Sequence, residues 1–442
     1  MEKNQLINDL SYDEYTDLQY SDIDSVSAIQ NKLFLEHYHY IINNSPFYKN
    51  LYKTIGLNFK EIQSINDISK LPFTKKNDIC TDMICVDPKE IVDLSLTSGT
   101  SGTPTIVPLT SQDLARLAFN EQIAFTIAGV NKSDTMLICA AIDKCFMAGI
   151  AYFLGGVKLG ARMVRAGSNN SAQTWEMINL TDSTIIVGVP SLIYKIGQYA
   201  LENGGNPADT NVRKLIAIGE PIRDKDLKLI PIADELEKIW NAKIFSTYAS
   251  SEIATTFCEC ELQQGGHVRP ELNLVEIIDD NGNNLEYGEI GEVVTTPLGV
   301  TGMPLIRFKT GDISFIINEK CGCGRTSQRL GPIIGRKNQM LKYKGTTIFP
   351  NSIIAVLEGD QRFHSGYVEA RKNTDGTDRV ILYASLTDAP HDKENEINWI
   401  KQKLGAKIRV TPEVKIISKE KADNQIYQLD KKRKRQTFFD LR

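Results

Sequence analysis

STIIVGVPSLIYKIGQYALENGG, residues 183–205, reads as one strand followed by one helix. STIIVGVP (183–190) is a short apolar run, rich in β-branched residues and punctuated by Gly188 and Pro190. SLIYKIGQYALENGG (191–205) then places apolar residues at helical spacing and stops at Gly204-Gly205. MLICAAI (136–142), ARMVRAG (161–167) and KLIAIGEP (214–221) read as further buried strands, with helical spacing between them. Continuous apolar strands alternating with helices predict the α/β class, with mainly parallel sheets flanked by helices on both faces.

Upstream, SVSAIQNKLFLEHYHYIINNSPFYKNLYKTIG (25–56) predicts an amphipathic helix, a break at Ser45-Pro46 and a second short helix ended by Gly56. His37 and His39 alternate with tyrosines on the first helix and read as solvated or packed groups. Downstream, VRPELNLVEIIDDNGNNLEYGEIGEVVTT (268–296) has strand-like runs broken by Asn-Gly and Tyr-Gly, which predicts β-hairpins. The end reads as a small α+β unit: strands at YVEARK and RVILYASL, a helix at KENEINWIKQKLG, a strand at EVKIIS and a basic tail. Since a chain of 442 residues exceeds what one core covers, it divides into a large domain, 1–335, and a small mobile one, 336–442.

Composition narrows the function classes. A hydrophobic content of 41%, a charged content of 24% and a formal charge of −4 describe an ordinary globular chain with no electrostatic footprint for nucleic acid. No apolar run is long enough to span a membrane, and the polar, acidic start MEKNQLINDLSYDEYTDLQYSD does not read as an export signal. The eight cysteines are therefore expected to be reduced, in the cytoplasm, in a monomer or homodimer.

LTSGTSGTPTIVPLT (96–110) follows the apolar IVDLSL and precedes a predicted helix from Ser111. Its Ser, Thr and Gly residues offer backbone N–H groups and hydroxyls without bulk, which suits a polyphosphate, although such a loop also serves as a plain linker. It lacks the GxxxxGK[ST] order of a Walker A loop. Ser98-Gly99-Thr100-Ser101-Gly102-Thr103-Pro104-Thr105 resembles the phosphate-binding loop of the adenylate-forming superfamily of acyl-CoA synthetases, adenylation domains and luciferases. Three more segments resemble that superfamily in order: Tyr248-Ala249-Ser250-Ser251-Glu252, Arg307-Phe308-Lys309-Thr310-Gly311-Asp312, and a hinge from Gly335-Arg336 to Lys342 with Gly345 and Pro350. Pro46-Phe47-Tyr48, Gly56 and Leu71-Pro72-Phe73-Thr74-Lys75 are similar to the phenylacetate–CoA ligase branch.

The resemblance implies an enzyme that makes an acyl adenylate from ATP and a carboxylic acid, then a thioester, usually to coenzyme A. A phosphopantetheine on a carrier protein is the alternative acceptor, and a non-catalytic nucleotide-binding homologue is the alternative of another class. It implies that Ser98, Gly99, Thr100, Ser101 and Gly102 hold phosphates and that Glu252 binds Mg²⁺, a hard cation suited to carboxylate and phosphate oxygens. It gives Asp312 the ribose hydroxyls, Arg336 the ribose or phosphate, and Gly219-Glu220-Pro221 and Tyr248 through Ser251 the border of the nucleotide. Phe146, Ala148, Gly149 and Ile150, in DKCFMAGIAY (143–152), would line a pocket for a small, flat, aromatic acid.

The family also carries a lysine near its C-terminus that neutralises charge as the acyl phosphate forms. In this chain the tail is Lys431-Lys432-Arg433-Lys434-Arg435-Gln436-Thr437-Phe438-Phe439-Asp440-Leu441-Arg442. Gapless alignment on Asp440 and Arg442 selects Lys434, with Thr437 where the family has Arg. Lys432 gives a Lys-x-x-Arg match through a small insertion, and a solvated basic run accounts for most of the remainder. The hinge has Asn338 where the superfamily often has Asp.

Cys258-Glu259-Cys260, Gly265-Gly266-His267 and Cys321-Gly322-Cys323 form a second constellation, whose thiols and imidazole suit tetrahedral zinc. Its spacing is similar to that of some phenylacetate–CoA ligases and selects Cys260, His267, Cys321 and Cys323 as a closed structural site.

Overall fold

The computed structural model describes residues 15–97, 105–143, 145–167, 170–343, 346–358, 360–373, 378–390, 392–408, 411–427 and 436–442. The four apolar runs become the strands Thr135–Ile138, Arg162–Arg165, Ile185–Gly188 and Lys214–Ala217. With Lys243–Ser250 they form one parallel array, in the spatial order 243, 214, 185, 135, 162 by first residue. The strands at 135, 185 and 214 are buried along their whole length, as both-face coverage requires. One face packs Ile178, Ile193, Ile196, Leu236 and Trp240 from three helices. The other packs Phe125 and Tyr152, from the helices Ser111–Ile127 and Met147–Leu159, against Met136, Ile138 and Phe245.

The sheet is mixed. Beyond Lys243–Ser250 it continues through Thr255–Glu259, Gly266–His267, Arg329–Leu330 and Ile316–Ile317, all antiparallel. A second sheet joins Asn273–Ile278, Gly291–Pro297 and Phe308–Ser314 antiparallel to one another; Thr74–Lys75 adds in parallel and Gly335–Arg336 antiparallel. The hairpin predicted around Asn281-Gly282 is not a two-residue turn. Asp279 Oδ1 accepts the backbone N–H of both Asn281 and Asn283 at 2.8 Å, so the side chain organises a wider loop. The C-terminal unit is a four-stranded sheet in the order Glu413–Ile416, Asp378–Leu386, Phe363–Lys372, Phe438–Asp440, with the helices Pro350–Leu357, Lys393–Ile408 and Lys419–Tyr427. The basic tail thus ends in a strand, parallel to Phe363–Lys372.

The helix Ser111–Ile127 ties the two large sheets together. Asp113, 2% exposed, accepts the N–H groups of Thr301 at 2.8 Å and Gly302 at 2.9 Å. Arg116, 0% exposed, donates to the carbonyls of Ala254, Leu272 and Leu298 and to Thr255 Oγ1. A buried guanidinium is tolerated because these acceptors replace its water. Helix Ile23–Asn44 turns its inner face into an aromatic cluster with Tyr48 and Tyr52. His37 belongs to that buried face: its Nε2 lies 3.1 Å from Leu305 O, and burial lowers its pKa to about 4. Among the described residues no helix is long and apolar enough to cross a membrane.

Candidate active site

The site assembles where the two large sheets meet. Gly311 takes a φ of +76°, a left-handed turn that glycine adopts without strain, and Asp312 follows it in the strand Phe308–Ser314. Asp312 is 5% exposed. Tyr248 Oη donates to its Oδ2 at 2.8 Å, and Arg336 Nε lies 3.1 Å from its Oδ1. Burial raises the Asp312 pKa; the Arg336 charge and the Tyr248 hydrogen bond oppose it without cancelling it. Tyr248 itself is stacked on Phe257, with ring centroids 6.0 Å apart.

Glu252 sits on the turn between the strands Lys243–Ser250 and Thr255–Glu259. Its Oε1 is 2.9 Å from Lys76 Nζ, which directly follows Thr74–Lys75, the strand paired with the one that carries Asp312. Both predicted anions, Glu252 and Asp312, therefore carry a protein cation. Sequence reading missed Lys76, which is 176 positions from Glu252; only its place beside Thr74-Lys75 pointed to it. Lys337, next to Arg336, was missed as well: its Nζ lies 3.0 Å from Asp280 and 3.1 Å from Glu292.

Gly219 has a φ of +70° and starts a tight turn. The Glu220 carboxylate accepts Ser191 N–H at 2.9 Å and Ser191 Oγ–H at 2.7 Å, which caps the helix Pro190–Glu202 from outside. Glu220 thus fixes that helix beside the site. Pro221, Ala249, Ser250 and Ser251 lie on the adjoining chain; Ala249 is exposed and the serines are half-buried. Phe146 and Ala148 pack partly buried against Tyr152, Val187, Ile218 and Phe245, with Val189 alongside. Gly149 faces the backbone: a Cβ there would stand 2.0 Å from the Ala141 carbonyl oxygen, so glycine lets the Met147–Leu159 helix start against the end of a central strand. Ile150 is half-buried on the same first turn.

Ser98, Gly99, Thr100, Ser101 and Gly102 lie outside the described residues, as do Lys144, Lys431, Lys432 and Lys434. The two ends of the loop are described. Strands Ile91–Leu96 and Ile106–Thr110 pair antiparallel, and Thr97 N–H donates to Thr105 O at 3.0 Å. The two strands that flank the Ser/Thr/Gly segment are therefore paired with each other.

At the other end of the strand Thr255–Glu259, Cys260, His267, Cys321 and Cys323 bring one ligand atom each within 4.8 Å of one another. Cys260 Sγ is 3.6 Å from Cys321 Sγ, and Cys323 Sγ is 3.5 Å from His267 Nε2. A tetrahedral ion about 2.3 Å from sulfur and about 2.0–2.1 Å from nitrogen sets ligand pairs roughly 3.5–3.8 Å apart, so the donor set fits zinc. His267 Nδ1 lies 3.1 Å from Ser327 Oγ, which orients the ring with Nε2 inward. Burial, with Arg325, Arg329 and Arg269 nearby, holds the imidazole neutral by lowering its pKa to about 3. Cys258 points elsewhere, into the core with Phe245 and Ile216.

Comparison with known proteins identifies the family and the fold. A profile of AMP-binding enzymes covers residues 39–302. The phenylacetate–coenzyme A ligase of Thermus thermophilus is 29% identical over 343 residues, 76% of this chain and 75% of its own. A solved 2-hydroxyisobutyryl-CoA ligase in its postadenylation state superposes with a TM-score of 0.81 at 20% identity, over 95% of this chain and 89% of that one. The same ligase in its thioesterification state gives 0.69 at 21% identity, over 96% and 91%. The chain belongs to the AMP-binding enzyme family, the adenylate-forming superfamily. Within it the chain lies near phenylacetate–CoA ligase, and its class is that of an AMP-forming acid–thiol ligase.

Proposed function

We propose that the protein activates a small, aromatic carboxylic acid with ATP, releases pyrophosphate, and passes the acyl group from the adenylate to the thiol of coenzyme A. The observation that carries this reading is the pair of buried carboxylates, Asp312 and Glu252, each held by a cation that is more exposed than the carboxylate. Asp312 can accept both ribose hydroxyls while Tyr248 keeps its position. Arg336 is 47% exposed in its side chain, free to swing from Asp312 toward the phosphates. Glu252 would hold Mg²⁺ together with phosphate oxygens, and that ion supplies charge neutralisation on the triphosphate. The apolar surroundings of Phe146, Ala148 and Ile150 support a flat acid without a second charge, as does the name of the Thermus relative.

In the same reading residues 1–335 bind ATP and acid, and residues 336–442 bring in the tail lysine, Lys434. A pivot at Arg336–Gln339 lets the small domain adopt one orientation for each half-reaction. Zinc at Cys260, His267, Cys321 and Cys323 is structural: all four positions are protein ligands, which leaves none for substrate.

A panel of carboxylic acids scored by pyrophosphate release, followed by trials of coenzyme A and of a phosphopantetheinyl carrier protein, tests this function. Arylacetates or benzoates should give the fastest release, and coenzyme A should be the faster acceptor. ATP binding with no pyrophosphate release from any acid would identify a non-catalytic homologue instead.

A further inference from the structure

We propose that Lys195 is a positioning residue for adenylation: it seats Tyr427, and with it the base of the lysine-bearing tail, on the helix that borders the acid pocket. The inference rests on the adenylate-forming reading above. Lys195 Nζ donates to Tyr427 Oη at 2.7 Å and stands 4.3 Å from the centroid of the same ring. One side chain thus makes a hydrogen bond and a cation–π contact across the two domains.

Each partner is rigid on its own side. Lys195 is exposed between the buried Ile193 and Ile196 on the helix Pro190–Glu202, whose first turn is pinned by Glu220. Five residues into that helix, it lies roughly 7.5 Å along the axis from the end at the site. Tyr427 closes the helix Lys419–Tyr427 and packs against the cluster of Tyr367, Ala422 and Ile426. The chain beyond Tyr427 returns beside it, because Gln436 N–H donates to Ile426 O at 3.0 Å. Tyr427 and Gln436, the described residues on either side of the segment that carries Lys431, Lys432 and Lys434, therefore both lie at this contact. From a base there, a lysine two to four residues away reaches at most about 7–14 Å along the backbone, before its own side chain. Where Tyr427 sits accordingly decides whether the ammonium meets the site.

The contact is also of suitable strength. An exposed hydrogen bond and an exposed cation–π pair are weak enough to break once per turnover, yet sufficient to bias one orientation by about tenfold. The arrangement in which they form is the one that superposes better on a postadenylation state than on a thioesterification state.

The test separates the half-reactions. Lys195→Ala should slow pyrophosphate release about five- to tenfold with the KM for ATP unchanged, while Tyr427→Phe, which keeps the ring, should cost about two- to threefold. Lys195→Arg, able to donate and to stack, should restore the rate. Thioester formation from acyl adenylate supplied ready-made should match or exceed wild type in every variant, since loss of the contact can only favour the other orientation. Adenylation by Lys195→Ala within about twofold of wild type, or both half-reactions falling together, overturns the proposal. A wild-type protein that releases no pyrophosphate with any acid overturns the adenylation reading itself. In that case small-angle scattering decides the contact: a more open envelope for Lys195→Ala supports it, and an unchanged envelope overturns it.

Discussion

The strand Thr255–Glu259 has a different kind of polar site at each end. Beyond Glu259 lies the Cys260, His267, Cys321 and Cys323 cluster, in which three of four residues are fully buried and every ligand atom faces another. Before Thr255 lies Glu252, with Asp312 and Tyr248 close by. There the anions are buried and their cations are not: the Glu252 and Asp312 side chains are 9% and 7% exposed, against 34% for Lys76 and 47% for Arg336. Burying a charge is tolerated only with a partner, and the partner must be replaceable if a ligand is to take its place. The closed end is built to suit one permanent occupant. The open end buries its anions and leaves their cations exposed.

The largest effect should come from the tail that completes the open end. Lys434→Ala is expected to slow adenylate formation on the order of 10²–10³-fold and to leave thioester formation from ready-made acyl adenylate nearly unchanged. Lys432→Ala and Lys431→Ala should be near neutral in both assays; a swap, with Lys432→Ala blocking adenylation instead, would show that the gapless register on Asp440 and Arg442 is wrong. Asp312→Ala comes next. It removes the acceptor proposed for both ribose hydroxyls, and ATP affinity measured by calorimetry should fall by about tenfold or more. Undiminished binding would place the ribose elsewhere.

The closed end should respond in the opposite way. Purified protein should carry about one zinc per chain by metal analysis, and Cys321→Ser with Cys323→Ser should lose it. Proteolysis near residues 319–329 should then quicken while kcat changes by less than about threefold. A collapse of kcat in soluble, folded double variant would make the two ends one functional unit.

Between the two ends lies Glu121, which takes Thr256 Oγ1 and Asn120 Nδ2 as donors and is 2% exposed. Burial raises its pKa from 4.5 to about 7. The native state therefore holds a proton that the unfolded chain releases above pH 4.5, so stability falls as pH rises from there to about 7 and is level beyond. Glu121→Gln, which imitates the protonated form, should abolish that slope and gain up to about 3 kcal/mol at pH 8, the product of the shift and ~1.36 kcal/mol per unit. Parallel unfolding curves for variant and wild type at pH 5 and pH 8 would show that Glu121 is not buried as an acid. The smallest effect is expected for Lys76→Ala. With its competitor gone, Glu252 should need roughly two- to fivefold less Mg²⁺ for half-maximal activity; a higher requirement would mean that Lys76 helps to hold the nucleotide.

The centre of the parallel array was legible because the strands at 135, 185 and 214 are buried on both faces and read as unbroken apolar runs; Arg162–Arg165, expected to be buried as well, lies at the edge of the sheet with both arginines exposed. The grouping of Cys260, His267, Cys321 and Cys323 was legible because four residues with ligand chemistry sit in two short segments, and tight turns bring them together. Lys76 and Lys337 were not, since a lysine in a loop carries no local mark of a partner far along the chain. The helices Pro350–Leu357 and Lys419–Tyr427, with 8 and 9 residues, are too short to establish a periodicity. Asn281-Gly282 marked the hairpin between Asn273–Ile278 and Gly291–Pro297, but not that Asp279, two residues earlier, widens its loop by offering its own acceptor. The pocket reading of Gly149 failed to foresee that its missing side chain serves the backbone of Ala141.

The clasp made by Asp113 and Arg116 has a consequence for how the protein is born. The partners of these two buried charges lie as far as 189 positions downstream, at Ala254, Leu272, Leu298, Thr301 and Gly302. On a ribosome adding about 5–20 residues per second, the helix Ser111–Ile127 emerges roughly 10–40 s before its last partners do. During that interval the helix cannot bury its inner face without depriving Arg116 of these acceptors and leaving Asp113 with the local donors of Thr110 alone. Nascent chains halted short of residue 302 should therefore stay open to proteases and holding chaperones, and protection should arrive only once that last stretch has cleared the exit tunnel.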